Sequence, residues 1–202
     1  MRILFLARHF SYLRNFESAI RELARRGHTI HLSADREEMM GGRAMVERIA
    51  RDFPKVTVGW TPTRESVAWY ELARKLRLGR DYLRFLDSRY VAMQHLRTRA
   101  RERAPMAVVT LAALPLLRAG AGQWLLAAIL RGFERAIPRS AVLDAFIRAQ
   151  NPDLMLITPL VDLGSPQADH FASAKAAGVR TVLCVASWDH LSSKSLLRQW
   201  PN

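Results

Sequence analysis

Cysteine is almost missing from this 202-residue sequence: Cys184 stands alone. One thiol excludes an intramolecular disulfide framework and any multi-cysteine zinc site, and it suits a reducing compartment. Acidic side chains are also scarce, 18 against 31 basic ones, which leaves a formal net charge of +13. Lysine is scarce in turn, with 4 lysines beside 27 arginines. Such a balance favours an anionic partner: phosphate groups, an acidic membrane surface or nucleic acid. The last is the weakest of the three, because no nucleic-acid-binding motif is present and the aromatics do not alternate with basic residues on strands as a stacking platform requires.

Long hydrophobic runs are lacking too. The most apolar stretch, Met106–Leu130, is interrupted by Pro115, Arg118, Gly120, Gly122 and Gln123. A spanning helix needs about 20 predominantly apolar residues, and an arginine at mid-span costs roughly 2.5–3.5 kcal/mol. The stretch therefore predicts two core helices or an interfacial pair that docks on a membrane, with Trp124 and flanking arginines as anchors. The opening residues do not form a secretory leader, since Arg8 and His9 end the first apolar run. Several catalytic signatures are absent: no G-x-G-x-x-G follows the first strand, and there is no Walker A sequence and no G-x-S-x-G elbow. His28 and His31, three apart on a strand, point to opposite faces and make no metal pair, so no metal site is expected. Ser187, Asp189 and His190 are too crowded in one loop for a hydrolase relay.

What is present describes a globular α/β chain. Half of the residues are apolar and 24% are charged, enough for a core and incompatible with a disordered chain. The length fits one large domain. Ile3–Ala7 is a continuous apolar run, the pattern of a parallel strand buried on both faces. Phe16, Ala19, Ile20, Leu23 and Ala24 then fall on one helical stripe, with Asn15 as the predicted cap and Gly27 at the left-handed end. His28–Leu32 completes a βαβ unit. A helix is predicted over 36–51, with Gly41-Gly42 able to split it, and Val56–Trp60 is the third strand. From 66 to 150 the pattern is helical, with breaks suggested at Gly79, Pro105, Gly120/Gly122 and Pro138. Within it, residues 64–103 carry 11 basic and 5 acidic side chains, a solvated helical face or one that meets phosphates or lipid headgroups. Leu154–Ile157 and Thr181–Val185 are the last strands, separated by a helix that Ser165-Pro166 opens. Two βαβ halves predict a Rossmann-like, doubly wound parallel sheet of order 3-2-1-4-5, with a large helical insertion at about 62–150 between strands three and four.

In open α/β sheets ligands bind beyond the carboxyl ends of the strands. Those ends collect Arg8, His9, Ser11 and Tyr12, then Asp35, then Asp162, Ser165 and Gln167, and finally Trp188, Asp189 and His190. The candidate substrate-binding residues are Arg8, Ser11, Asp162, Ser165, Gln167 and Trp188. His9 and Asp189 are the candidate catalytic residues. A histidine with an ordinary pKa near 6.5 can accept a hydroxyl proton at neutral pH, Asp35 and Asp162 are rival bases, and Trp188 suits stacking on a sugar face.

The opening MRILFLARHFSYLRNFESAIRELARRGHTIHLSAD resembles the start of a GT-B fold glycosyltransferase, and NPDLMLITPLVDLGSPQADHFASAKAAGVRTVLCVASWDHLSSK resembles the later part of the same N-terminal, acceptor-side domain. The segments 1–35 and 151–194 carry this likeness through "RGH" and "PDL" in the same order, while the helical middle carries none of it. Many members have a glycine-rich loop after strand one, whereas Arg8–Tyr12 contains no glycine. The resemblance implies metal-independent transfer of a sugar from a nucleotide-sugar donor, with no other cofactor, to an acceptor held by this domain. It implies a donor-binding domain that lies outside residues 1–202, on a downstream or separate chain. A lipid- or phosphate-linked acceptor would match the basic charge and the apolar helices, with a cytoplasmic or peripheral inner-membrane location. Alternatives are a non-catalytic membrane-docking subunit of a split glycosyltransferase and a GT-B-like sugar-nucleotide epimerase.

Overall fold

The computed structural model describes residues 1–38 and 40–202. Five strands, β1 (Arg2–Ala7), β2 (Thr29–Ala34), β3 (Val56–Trp60), β4 (Leu154–Thr158) and β5 (Arg180–Leu183), form one all-parallel sheet in the order β3-β2-β1-β4-β5. This is the predicted Rossmann-like topology. β1 lies at its centre and alternates as a strand buried on both sides must. Ile3, Phe5 and Ala7 join a core with Ile20 of α1 (Glu17–Arg25) and with Met45, Val46 and Ile49 of α2 (Gly42–Asp52). Leu4 and Leu6 join the opposite core with Ile147 of α8 (Ala141–Gln150) and Phe171 and Ala174 of α9 (Gln167–Ala176).

Between β3 and β4 the chain builds the helical insertion: α3 (Val67–Phe85), α4 (Gln94–Arg103), α5 (Met106–Ala113), α6 (Pro115–Arg118) and α7 (Gly120–Ala136). It has an apolar cluster of its own, with Leu83, Phe85, Leu96, Val108, Leu126 and Leu130 among its members. Among the described residues no helix is long and apolar enough to cross a membrane. The α5–α7 layer nevertheless exposes Met106, Leu116, Trp124, Leu125, Ile129 and Phe133, so Met106–Leu130 is neither a span nor wholly core.

Several local expectations change. Asn15 caps nothing: Phe10–Phe16 is a 3-10 segment, α1 begins at Glu17, and the Asn15 amide instead donates to the Ala186 carbonyl at 3.3 Å. The helix predicted over 36–51 starts only at Gly42, after Gly41 takes a left-handed φ of 74°. Gly42 itself is required by close approach, because a Cβ there would meet the Ser11 nitrogen at 2.3 Å. Met39, inside that predicted span, lies outside the described residues. Gly79 breaks nothing; α3 runs through it, and the missing side chain lets Val108 and Leu130 approach. The interruption falls instead at 86–93, around a short 3-10 turn, Ser88–Tyr90. The closing residues 187–202 form turns, bends and irregular chain.

Candidate functional site

The strand ends converge as the topology requires. β1 ends at Ala7, and Arg8 continues the ladder by donating its N–H to the Thr158 carbonyl of β4 at 3.1 Å. The Arg8 guanidinium pairs with Asp162, which joins the loop after β1 to the loop after β4. The loop after β5 closes the same rim, with Tyr12 between the rings of His9, centroid 4.5 Å away, and His190, at 6.2 Å. Arg8, His9, Ser11 and Asp162 are therefore neighbours, and His190 enters through Tyr12.

The candidate bases differ in chemistry. His9 precedes the 3-10 segment, and its Nδ1 is engaged by the Ser11 hydroxyl, leaving Nε2 to meet a ligand. Partial burial lowers its pKa, against the pull of Glu38, so the ring is neutral at neutral pH. Asp189 accepts from the Ser187 hydroxyl at 2.6 Å and the Ser193 hydroxyl at 3.1 Å, and Lys194 lies 3.4 Å away. These partners, Ser187 foremost, pull its pKa down to about 2. It is an organiser of its loop and a poor proton acceptor. Asp35, at the end of β2, is the reverse case. Both its carboxylate oxygens are buried without a hydrogen-bond partner, and burial pushes its pKa up although His170, Thr61, Arg36 and Arg8 oppose the change. A cavity of about 40 Å³ lies beside it, lined in part by Arg36, Arg64, Tyr70 and His170, roomy enough for a water molecule.

The remaining predicted residues separate into two kinds. Trp188 is 90% exposed at the rim and free to stack. Ser165 and Gln167 are buried and already engaged. The Ser165 hydroxyl accepts from the Gln167 N–H at 3.3 Å in the turn just ahead of α9. The Gln167 side chain accepts from the Leu160 N–H at 2.9 Å and donates to the Thr158 carbonyl at 3.1 Å. It latches a loop in which Leu160 holds a left-handed φ of 55°. As placed, both residues shape the rim from beneath and do not face a ligand directly.

Sequence reasoning missed a second polar assembly, where the insertion meets α9. Arg77 donates to Glu134 at 2.9 Å, to Asp169 at 2.6 Å and to the Ser165 carbonyl at 3.0 Å. Arg64 reaches Asp169 at 3.2 Å, Arg80 pairs with Glu134, and Arg198 pairs with Asp81 at 2.8 Å. Burial alone would raise the pKa values of Glu134 and Asp169, but the arginines around them outweigh it and hold both low. The one sequence signal for this assembly was the basic excess of residues 64–103.

Together the fold and rim define a Rossmann-like α/β domain with a polar, histidine-bearing ledge at the carboxyl edge of its sheet. No protein-family model matches the chain, and no curated protein matches it.

Proposed function

We propose that this chain is the acceptor-side domain of a metal-independent glycosyltransferase of the GT-B type, in which His9 is the general base for the acceptor hydroxyl. The observation that carries the reading is the rim itself. A 3-2-1-4-5 parallel sheet brings a neutral imidazole, the Arg8–Asp162 pair and the exposed Trp188 to one edge. That set suits a hydroxylated ligand: an aromatic face for the sugar ring, polar groups for its hydroxyls and a base near neutrality. Asp189, acidic down to a pKa of about 2, supports the site by holding the Ser187–Lys194 turn. The nucleotide-sugar is the donor substrate and is bound by a second domain.

The test separates acceptor from donor. By calorimetry, residues 1–202 are expected to bind phosphate- or lipid-linked saccharides more weakly in Trp188→Ala, whereas binding of a nucleotide-sugar is expected to be unchanged by that substitution. Measurable sugar transfer by these residues alone would overturn the reading.

One observation favours a variant of this reading, a membrane-docking subunit of a split glycosyltransferase. Leu125, Ile129 and Phe133 form an exposed stripe on α7, and Leu116 of α6 is 90% exposed. An apolar helix face bordered by arginines is the pattern of interfacial binding. In either form the chain is cytoplasmic, and a lipid-linked acceptor would bring it to the inner face of a membrane.

A further inference from the structure

The arginine assembly surrounds a cavity of about 510 Å³ between the helical insertion, α9 and the closing segment near Arg198. The size falls within the range of small-molecule sites, roughly 300–1,000 Å³. We infer that this cavity is a binding site for a phosphate-bearing ligand of the diphosphate class, separate from the histidine rim. His9, Trp188 and Asp189 take no part in its wall.

Charge is the first argument. Arg64, Arg77, Arg80 and Arg198 line the inner wall, and Arg131, Arg135 and Arg139 the mouth. The lining holds two carboxylates, Glu134 and Asp169. Two more stand just outside it, Asp81 on Arg198 and Asp144 on Arg139. A fifth, Glu65, bonds the Ser140 hydroxyl of the lining and the Ala141 N–H. Seven arginines against these five carboxylates leave an excess of two positive charges. The buried arginines, Arg64, Arg77, Arg80 and Arg198, are paired with Asp169, Glu134 and Asp81, so the excess lies with the exposed arginines at the mouth, where an anionic ligand would meet it.

Unused donors are the second argument. In the wall behind the mouth, the Arg64 Nε has no hydrogen-bond partner, while the Arg198 Nε faces the Glu134 carboxylate at 3.7 Å. Among the described residues, Arg131 and Arg135 form no ion pair, and both are exposed on α7 at the mouth. Planar guanidinium forks match phosphate oxygens in pairs, so the exposed mouth arginines would hold the ligand's phosphates against the positive wall behind them. Arginine keeps its charge at all physiological pH values, so the site stays open to an anion throughout.

This inference does not rest on the glycosyltransferase reading, and its test uses no sugar transfer. Inorganic pyrophosphate is titrated into the 202-residue chain by calorimetry at low ionic strength. Saturable binding at one site is expected, weakened about tenfold or more in Arg131→Gln/Arg135→Gln, since each lost guanidinium removes charge-assisted bonds to phosphate. The control, Arg48→Gln/Arg51→Gln, removes the same charge from exposed positions on α2, outside this cavity, and is expected to bind as the parent does. Circular dichroism checks that both variants fold. Short-chain phosphatidic acid below its micelle concentration distinguishes the source: competition with pyrophosphate assigns the cavity to a lipid headgroup, and no competition assigns it to a soluble phosphate. Absence of saturable binding, or equal weakening by both double variants, would overturn the inference.

Discussion

His9 and Asp189 occupy the same rim but titrate in different ranges, and this makes their roles separable. A base works deprotonated, so activity must fall as pH drops through its pKa. With the His9 pKa lowered from its ordinary value by burial, the acidic limb of a kcat/KM profile of the complete enzyme, with its donor-binding domain, is expected somewhat below pH 6.5, the unperturbed imidazole value. An Asp189 base, at about 2, would give a flat profile across that range. His9→Ala in that enzyme is expected to lower turnover by about 10²–10⁴-fold with a smaller change in acceptor affinity. A comparable loss in Asp189→Asn, with His9→Ala little affected, would move the base to Asp189. Gln167 has a different prediction, one of stability. Truncation to alanine removes the side-chain amide, leaving the Leu160 N–H without its acceptor and the Thr158 carbonyl with the Arg8 N–H alone. A loss of about 1–3 kcal/mol is expected in urea unfolding.

At the scale of elements, the helices carry both the information that sequence gave and the part it withheld. The strands were legible because parallel strands covered on both faces become short unbroken apolar runs, as Ile3–Ala7 did. The rim was legible for the same reason, since the polar residues after each run must lie at the sheet's carboxyl edge. Glycine was harder to read. Gly41 ends a turn through its left-handed φ, whereas Gly79 sits in mid-helix to admit Val108 and Leu130, and a single letter does not distinguish a break from a contact. Ser165 and Gln167 were placed correctly on the chain but bind inward, because residue order does not give side-chain direction in a loop. The arginine cavity was invisible because its pairs join positions such as 77 with 169 and 81 with 198. The α5–α7 layer offers a test at this scale. The chain is expected to sediment with anionic vesicles and to release as salt rises, because charges are screened over about 10 Å at 0.1 M salt. Trp124→Ser/Phe133→Ser, two exposed positions on α7, should abolish sedimentation without lowering the melting temperature. Equal binding to neutral vesicles would remove the arginines from the argument, and no binding by the parent chain would remove the membrane.

On the scale of the whole molecule, Arg77 is a principal joint between the insertion and the sheet. On α3, it is bonded to Glu134 on α7 and Asp169 on α9, and its loss would leave Glu134 to Arg80 and Asp169 to Arg64. Arg77→Met is expected to cost about 1.5–3 kcal/mol in denaturant unfolding, the worth of hydrogen bonds to charged groups, while an exposed change such as Arg48→Gln stays within about 0.5 kcal/mol. The joint also predicts a pH response. Glu134 and Asp169 have folded pKa values below their ordinary ones, so their contribution is complete above about pH 4–5 and fades as acid protonates them. Melting temperature should therefore fall with acid more steeply in the parent than in Arg77→Met.

The central strand has one more consequence, in time. β1 meets β2 within thirty residues, but its other edge waits for β4, where Ile3 lies beside Leu154. A ribosome adding about 5–20 residues per second needs roughly 8–30 s to make the intervening chain. Throughout that interval the most buried strand of the finished protein has an open edge, the kind of surface that recruits chaperones and stray strands alike. The helical insertion that builds the arginine cavity is also the delay that keeps this edge waiting.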